Sequence, residues 1–190
     1  MTFYHYSTTY TGGDKLINDY NHRYKDAEPF ILALETSMDV FRSTYYAAMY
    51  LERQFKEQNI RRYEMCQKDA AEAIFEFARR TYYPNEVSRL NCVYYCRSRE
   101  EAIACAMEDW IDCGDKTKEE VKILALEVDD SRIGEYDQEY FNLAYDAVSE
   151  CRFEDAIEYA KQYYAKEATE KPIWEILADG ENRVVEEIEY

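Results

Sequence analysis

The chain has very few residues that interrupt regular structure: its 190 residues include only five glycines and three prolines. Glycine and proline most often mark turns and element ends, so we expect long helices and strands joined by short connections. No low-complexity tract or internal repeat is present. With 47% hydrophobic residues, a chain of this length can bury a core without disulfides or metals. One domain spanning residues 1–190 is therefore expected.

The first half of the chain is predicted to form a short strand and a long helical segment. The β-branched and aromatic run TFYHYST, residues 2–8, is followed by the turn signal TGGD. Apolar residues then recur every three or four positions over 29–58 and again over 63–81, which is helical spacing. Pro29 suits the first turn of the first of these helices.

The second half alternates between strand and helix patterns. Ser98 is expected to cap a helix, because Glu100 and Glu101 follow it in the first turn. The run VKILALEVDD is apolar enough to be buried on both faces, and the last two strands are expected to form a hairpin around the turn DGEN. Strands are predicted at 88–96, 121–130, 173–180 and 182–190, and helices at 98–111, 138–150 and 153–168. This order predicts an α+β domain.

The net negative charge of the chain comes entirely from its second half. Residues 1–100 carry 14 basic and 14 acidic side chains, whereas residues 101–190 carry 9 and 26. A surface with this charge repels phosphate backbones, so direct nucleic-acid binding is disfavoured and basic proteins are the favoured macromolecular partners. Solubility alone is the simpler explanation of the same charge.

No segment has the pattern of a membrane span or of a secretory signal. We therefore expect a cytoplasmic protein that makes no membrane contact. In that compartment the six cysteines are expected to be buried thiols rather than disulfides. Because no Cys-x-x-Cys occurs and only two histidines are present, no metal site is predicted.

Three strand segments carry side chains with possible chemistry. His5 lies in an alternating strand, where a histidine is more often a surface residue, or one whose hydrogen bonds are satisfied within the fold, than a functional one. Tyr94 and Tyr95 lie near the end of a strand, with one expected to face the core and the other to face away from it. Glu175 stands inside the apolar run IWEIL, where a buried carboxylate needs a partner or a pocket. A solvated strand face with Trp174 pointing inward explains Glu175 equally well.

Four segments, in this order along the chain, resemble the ADP-ribosyltransferase superfamily. The resemblance is to its diphtheria-toxin and poly(ADP-ribose) polymerase branch, which has a His, Tyr, Glu triad. YHYS resembles the strand with the family's histidine, and VYYCRSREEA resembles the strand exit with its tyrosine. ILALEVDDSRIGEYD resembles the next buried strand and the turn after it. WEILADGENRVVEEIE resembles the strand that opens with the catalytic glutamate, followed by the last strand.

This resemblance implies that NAD is the substrate and that His5, Tyr94 and Glu175 are the catalytic residues. His5 would hydrogen-bond the ribose on the adenosine side of NAD, and Tyr94 would stack on the nicotinamide ring. Glu175 would bond the nicotinamide ribose and orient the acceptor. Breaking the glycosidic bond leaves a positively charged sugar, which a fixed carboxylate stabilises in a pocket that excludes water. The three strands are expected to be neighbours or near-neighbours in one sheet.

The same resemblance places further NAD contacts at Ser7, Tyr6 and Tyr95. Ser7 would help to hold the ligand contacts of the first strand, and Tyr95 adjoins Tyr94. Tyr6 replaces the glycine that follows the family's histidine, so the main-chain contact to the nicotinamide amide would be made beside a large side chain. Cys105 stands at the approximate place of a second stacking aromatic residue.

The fold implied by the resemblance is a split β-sheet core with a helical insertion, 29–81. Five arginines of this insertion are expected to be exposed, where they could contact the NAD phosphates or an acidic partner: Arg53, Arg61, Arg62, Arg79 and Arg80.

The implied function is an NAD-dependent transferase that moves ADP-ribose to a macromolecular acceptor, with protein favoured, and releases nicotinamide. Arginine is disfavoured as the acceptor, because Ile173 stands where the arginine-modifying branch has Glu or Gln. Two alternatives stay open. One is a catalytically inactive binding module of the same fold, and the other is an acidic decoy that occupies a basic, DNA-binding surface.

Overall fold

The computed structural model describes residues 2–16, 20–57, 66–128 and 132–189, without the side chains of 20–23. The helices are α1 (Tyr20–Thr36), α2 (Met38–Glu57), α3 (Cys66–Tyr82), α4 (Arg99–Ala106), α5 (Glu139–Ser149) and α6 (Phe153–Tyr164). The strands are β1 (Thr2–Ser7), β2 (Lys15–Leu16), β3 (Val93–Tyr95), β4 (Lys122–Val128), β5 (Ile133–Asp137), β6 (Trp174–Ala178) and β7 (Asn182–Ile188). This mixture of helices and antiparallel strands confirms the predicted α+β class.

The chain divides into two compact units, each assembled from separate stretches. The sheet unit contains Met1–Asn18, Asn91–Glu135 and Trp174–Tyr190. The helical unit contains Asp19–Leu90 and Tyr136–Ile173. The predicted insertion falls in the helical unit, but this unit also includes α5 and α6 from the second half of the chain. That the whole chain acts as one domain stays a prediction.

The described residues of the sheet unit form two β-sheets. The first has the strand order β1-β4-β7-β2, and each neighbouring pair is antiparallel. The second has the order β3-β6-β5, and β3 and β6 are antiparallel. The predicted hairpin is therefore wrong, because β6 and β7 belong to different sheets. The chain crosses between them through Asp179, Gly180 and Glu181.

An apolar cluster holds β1 and β3 together. The register of β1 and β4 places Phe3 opposite Leu126 and His5 opposite Leu124. Because side chains alternate along a strand, Phe3 and His5 share one face of β1 and Tyr4 lies on the other. The face with Phe3 joins a buried cluster drawn from both sheets: Phe3, Leu16, Val93, Tyr95, Leu124, Leu126, Val128, Ile176, Ala178 and Val184. Each large apolar side chain buried there stabilises the unit by about 1.5–3 kcal/mol.

Helix α4 begins where the sequence predicts, because Ser98 caps it. The Ser98 hydroxyl accepts the Glu101 N–H at 3.1 Å, and the Glu101 carboxylate accepts the Ser98 N–H at 3.3 Å, which completes a capping box. A π-helical stretch, Met107–Ile111, follows the helix. A second cluster packs this segment against β1 and β4: Ala102, Ala106, Val121 and Ile123, with Tyr4, Tyr6, Cys96 and Trp110 partly buried around them.

The helical unit has an aromatic core that contains a buried ion pair. The Phe75 ring lies 5.2 Å from that of Phe141 and 5.0 Å from that of Tyr163. Arg89 is only 5% exposed, donates to Glu72 at 3.1 Å and lies over the Phe141 ring at 4.0 Å. Such a buried charge is tolerated because it is paired and hydrogen-bonded.

A buried carboxylate fixes the loop that follows α6. Asp137 accepts the Thr169 N–H and hydroxyl at 2.8 and 2.7 Å, the Ile173 N–H at 2.8 Å and the Glu139 N–H at 3.1 Å. Burial alone would raise the pKa of Asp137, but these donors lower it. The charged form of Asp137 therefore stabilises this fold.

Two details of the first helical prediction are wrong. The predicted helix 29–58 is two helices, because the Ser37 hydroxyl accepts the Val40 N–H at 3.2 Å and caps α2. Pro29 lies inside α1 rather than in its first turn, since α1 begins at Tyr20. Proline there removes one helical hydrogen bond, a cost that packing of the helix has to offset. The predicted start of the next helix, 63–65, lies outside the described residues.

Two further predictions are wrong, one about the segment Ile133–Asp137 and one about exposed arginines. The segment Ile133–Asp137, expected as a turn, is the strand β5 beside β6. Arg79 and Arg80 are not exposed, because both donate to the buried Glu76 at 2.8 Å. Arg53 is exposed and pairs with Glu57, and Arg61 and Arg62 lie outside the described residues.

The cysteines are only partly as expected. Cys66 and Cys92 are buried, but Cys113 and Cys151 are exposed, so the prediction of buried thiols is wrong for these two. Among the helices in the described ranges, none is long and apolar enough to cross a membrane.

Candidate functional site

The candidate site lies within the sheet unit, where His5 meets the main chain of Tyr94. The His5 Nδ1 atom is 2.8 Å from the Tyr94 carbonyl oxygen. A carbonyl can only accept a hydrogen bond, so Nδ1 carries the proton in this contact. In the neutral imidazole the other ring nitrogen, Nε2, is then an acceptor. His5 is thus oriented and set in one tautomer by its backbone partner.

The two strands that carry His5 and Tyr94 are joined beside this contact. The Tyr4 N–H donates to the Cys96 carbonyl at 3.1 Å, and the Cys96 N–H donates to the Tyr4 carbonyl at 2.8 Å. This isolated antiparallel bridge connects β1 of the first sheet to the residue that follows β3 of the second. The expectation of one common sheet is therefore wrong, although β1 and β3 are spatial neighbours.

Tyr94 and Glu175 lie on one face of the second sheet. The register of β3 and β6 pairs Tyr94 with Leu177 and Tyr95 with Ile176. Glu175 is two residues before Leu177, so it is the diagonal neighbour of Tyr94 on the same face. Diagonal neighbours in antiparallel sheets lie about 7–8 Å apart, which is within reach of an aromatic ring and a glutamate side chain.

Glu175 is buried although its side chain carries an ionisable carboxyl group. Its exposed fraction is 6%, so the alternative of a solvated strand face does not hold. The preceding residue, Trp174, is half-buried, and the Arg97 guanidinium lies 5.2 Å from the centre of its ring. Arg97 also forms an ion pair with Glu135 on β5. A cation, an aromatic ring and two carboxylates therefore lie around the start of β6.

Tyr95 faces the core. It is 2% exposed, its ring stacks on Phe3 with 5.9 Å between centroids, and its ring edge meets His5 at 6.1 Å. Its buried hydroxyl has no hydrogen-bond partner among the described residues. Burial raises the pKa of Tyr95, so this phenol stays neutral. Of the two adjacent tyrosines, Tyr94 is the more exposed, as the resemblance requires of a stacking residue.

Ser7 and Tyr6 make local contacts that the sequence did not indicate. The buried Ser7 hydroxyl accepts the N–H groups of Thr9 and Tyr10 at 3.1 and 3.3 Å, and thereby orders the turn after β1. The Tyr6 hydroxyl donates to Asp109, and burial together with this bond raises the pKa of Tyr6. Its ring meets Trp110 edge-on at 5.2 Å. No sequence pattern indicated the contacts of Ser7 or those of Tyr6.

Cys96 is the site-adjacent residue that sequence analysis did not identify. It ends the bridge to Tyr4, and the β3–β6 register extended by one step places it opposite Glu175. Only the pairing of distant strands brings it there, so no local pattern could have indicated its place. Across the described residues no group of three or more His, Cys, Asp or Glu side chains could hold a metal ion.

The chain matches the model of a known protein family. A family model described as "Protein of unknown function (DUF2441)" matches residues 4–190. The match includes every residue of the candidate site. No curated protein matches the chain.

Proposed function

We propose that this chain, which belongs to the DUF2441 family of proteins of unknown function, is an NAD-dependent ADP-ribosyltransferase. It would move ADP-ribose to a macromolecular acceptor, with protein favoured, and release nicotinamide. The observation that carries the proposal is the 2.8 Å contact between the His5 ring and the Tyr94 carbonyl. This contact brings together His5 and Tyr94, which are 89 positions apart in sequence. The third motif residue, Glu175, follows Tyr94 by 81 positions.

The division of the sheet unit also supports the proposal. The resemblance implies a split β-sheet core, with the histidine on the first strand and the tyrosine and glutamate on later ones. Here His5 lies in the sheet β1-β4-β7-β2, while Tyr94 and Glu175 lie on adjacent strands of the sheet β3-β6-β5. The three strands that carry the motif residues thus lie next to one another, since β1 is bridged to the residue after β3 and β3 pairs with β6.

Each triad residue has a role that its surroundings favour. The Nε2 of neutral His5 would accept a hydrogen bond from a ribose hydroxyl, because Nδ1 is already committed to the Tyr94 carbonyl. The Tyr94 ring would stack on nicotinamide, a contact worth roughly 1–3 kcal/mol by analogy with nucleobase stacking. The buried Glu175 carboxylate would stabilise the sugar cation, since charge interactions are stronger where water is excluded.

The proposal is tested by incubating the purified chain with NAD labelled in its adenylate part, alone and with a cell extract. We expect label to become attached to protein and free nicotinamide to appear in parallel. A heat-denatured sample is the control for chemical attachment. Absence of both labelled protein and nicotinamide, with a folded sample and saturating NAD, would contradict the proposal.

A cytoplasmic location and the absence of direct nucleic-acid contacts remain part of the proposal.

A second candidate is a catalytically inactive nucleotide-binding module of the same fold. The observation that favours it is the position of Tyr6, where the ADP-ribosyltransferase superfamily has glycine. The large side chain of Tyr6 is held there by its hydrogen bond to Asp109. Calorimetric titration with NAD separates the two candidates. An enzyme binds and consumes NAD, whereas the module binds it and returns it unchanged.

A further inference from the structure

The His5 ring is supported by the ring of its neighbour in sequence, Tyr6. The two ring centroids lie 6.0 Å apart, and the planes of the rings are at 22° to each other. This geometry is typical of offset stacked rings. The imidazole is held at the same time by the bond from its Nδ1 atom to the Tyr94 carbonyl. The orientation of His5 therefore has two supports, one at a ring nitrogen and one along its face.

The Tyr6 side chain is itself fixed by the segment that follows α4. Tyr6 lies opposite Ile123, a fully buried residue of the second apolar cluster. The Trp110 ring meets the Tyr6 ring edge-on at 5.2 Å, and the Asp109 carboxylate accepts the Tyr6 hydroxyl. A hydrogen bond to a carboxylate is stronger than one between neutral groups. Burial, together with this bond, raises the pKa of Tyr6, so the phenol keeps the proton that it donates.

Asp109 and Trp110 lie in the π-helical stretch, whose main chain is held by its own hydrogen bonds. The Asp112 N–H donates to the Met107 carbonyl at 2.8 Å, a five-residue step that is one residue wider than an α-helical turn. The Lys116 N–H donates to the Trp110 carbonyl at 2.9 Å. Single π-helical turns are rare and occur frequently at functional sites. The stretch therefore presents the Asp109 carboxylate to Tyr6 from a fixed main chain.

We propose that Asp109 is a positioning residue for His5, acting through the ring of Tyr6. Asp109 lies outside the four segments that carry the family resemblance. In the proposed enzyme the Nε2 atom of His5 accepts a ribose hydroxyl of NAD, so the imidazole has to meet NAD in one orientation. With Tyr6 held by Asp109, neither ring has to be ordered when NAD binds. The effect on NAD rests on the proposed function, whereas the effect on the imidazole does not.

Loss of the Asp109 contact should loosen His5 without removing it. Asp109→Ala and Tyr6→Phe break the same hydrogen bond, the first by deleting the acceptor and the second by deleting the donor. We expect either change to lower NAD affinity by about three- to fivefold, as for a side chain that has to be ordered on binding. The rate of nicotinamide release at saturating NAD should change by less than about twofold, because Glu175 is untouched. Asp109→Asn should restore affinity, because its amide oxygen still accepts the Tyr6 hydroxyl.

The test combines nitrogen NMR of the imidazole with calorimetric titration of NAD. His5 and His22 are the only histidines of the chain, so His22→Gln assigns their signals. At about pH 8.5, where imidazole is neutral, we expect well-separated Nδ1 and Nε2 shifts for His5, as a single tautomer requires. The two shifts should move toward each other in Asp109→Ala and Tyr6→Phe and stay apart in Asp109→Asn. Asp112→Ala is the matched control, because it removes an exposed carboxylate beside the same stretch and should change neither shifts nor affinity.

A double variant shows whether the effect on NAD passes through His5. In the His5→Asn background, Asp109→Ala should cause no further loss of NAD affinity, because the residue that it positions is gone. A further three- to fivefold loss there would overturn the proposal. Imidazole shifts that converge while NAD affinity stays at the unmodified value would overturn it as well.

The NMR measurement separates this proposal from the proposed function. If the unmodified chain does not bind NAD, the proposed function fails by itself, and the imidazole shifts still decide whether Asp109 positions His5. Convergence of the shifts in Asp109→Ala and Tyr6→Phe, with thermal unfolding showing that both are folded, supports that role. Unchanged shifts in both folded variants would exclude it.

Discussion

His5 and Tyr94 are joined by a 2.8 Å hydrogen bond from the imidazole Nδ1 to the main-chain carbonyl, across 89 positions of sequence. This bond gives the histidine both an orientation and a tautomer, because the carbonyl accepts and cannot donate. The ring nitrogen Nε2 is thereby assigned to ligand contact in the proposed enzyme. The proposed function therefore gives the two ring nitrogens separable roles.

Substitution of His5 by Asn or by Gln should separate those two roles. The Asn amide nitrogen can take the place of Nδ1 and keep the bond to Tyr94, but it supplies nothing at Nε2. His5→Asn should therefore change the free energy of unfolding by less than about 1 kcal/mol, while NAD affinity falls by roughly tenfold. His5→Gln should lose about 0.5–1.5 kcal/mol of stability, because its amide does not reach the carbonyl in the same geometry. Urea unfolding and calorimetric titration measure both, and equal NAD affinity in His5→Asn and the unmodified chain would contradict the assignment.

The adjacent tyrosines should respond in opposite ways. Tyr94→Ala removes the proposed stacking surface, so NAD affinity should fall by about 1–3 kcal/mol while the apolar cluster stays intact. Tyr95→Phe removes a buried hydroxyl that has no partner among the described residues, so stability should be unchanged or rise by up to about 1–2 kcal/mol. Thermal unfolding and NAD titration of the two variants decide this. A strongly destabilised Tyr95→Phe would mean that the hydroxyl has a partner that the structure does not include.

Asp69 on α3 should make stability fall as pH rises. Burial, with Asp26 and Glu72 nearby, raises the pKa of Asp69 from its ordinary 3.8 to about 6. Below pH 3.8 the carboxyl is protonated in both states, and between 3.8 and about 6 it is ionised mainly in the unfolded chain. Asp69→Asn should therefore stabilise the protein by about 1–2 kcal/mol above pH 6 and by little near pH 4. Urea unfolding across this range is the measurement, with the exposed Asp146→Asn as control, and a gain independent of pH would contradict the cause given.

Asp137 should have the opposite pH dependence. Its pKa is lowered in the folded state, so its contribution is present above about pH 4, the unfolded value, and is lost as pH falls through the folded value. Asp137→Asn should destabilise the helical unit by about 2–4 kcal/mol at neutral pH, because an amide cannot accept from all four donors. Thr169→Val, which removes only the hydroxyl donor, should cost about 1 kcal/mol. Equal losses in the two variants, measured by urea unfolding at pH 7, would argue against the carboxylate as the anchor.

Local features of the fold were predictable because they depend on neighbouring residues. The capping box at Ser98, the apolar strand β4 and the break between α5 and α6 at Cys151 all follow from short sequence patterns. Cys151 has a φ of 61°, which is a left-handed conformation. Glycine is the residue that usually indicates this conformation at a helix end, and here it is absent. The helix boundary was still indicated by the change of pattern.

Features that depend on distant partners were not predictable. The run Ile133–Asp137 is a strand because β6 lies beside it, and β6 and β7 separate because each finds a different partner. The sequence showed the order of His5, Tyr94 and Glu175 along the chain. It could not show that the bridge between Tyr4 and Cys96 would join β1 to the end of β3. Nor could it show that Ser7 and Tyr6 would be engaged by Thr9 and Asp109.

The proposed reaction depends on the buried Glu175 carboxylate, which would stabilise the sugar cation formed from NAD. Glu175→Gln has nearly the same shape, so fold and NAD affinity should be retained, while the negative charge is lost. Removing one preorganised electrostatic group typically lowers the rate by about 10²–10³-fold, or roughly 3–4 kcal/mol. Glu186→Gln, at an exposed position on β7, is the matched control and should transfer at the unmodified rate.

The most direct test is the rate of nicotinamide release from saturating NAD, with NAD affinity measured on the same samples. We expect about 10²–10³-fold slower release for Glu175→Gln, roughly unchanged affinity, and no effect of Glu186→Gln. Release by Glu175→Gln at the rate of the unmodified chain would exclude the proposed role of Glu175, because the carboxylate would then have no part in the reaction.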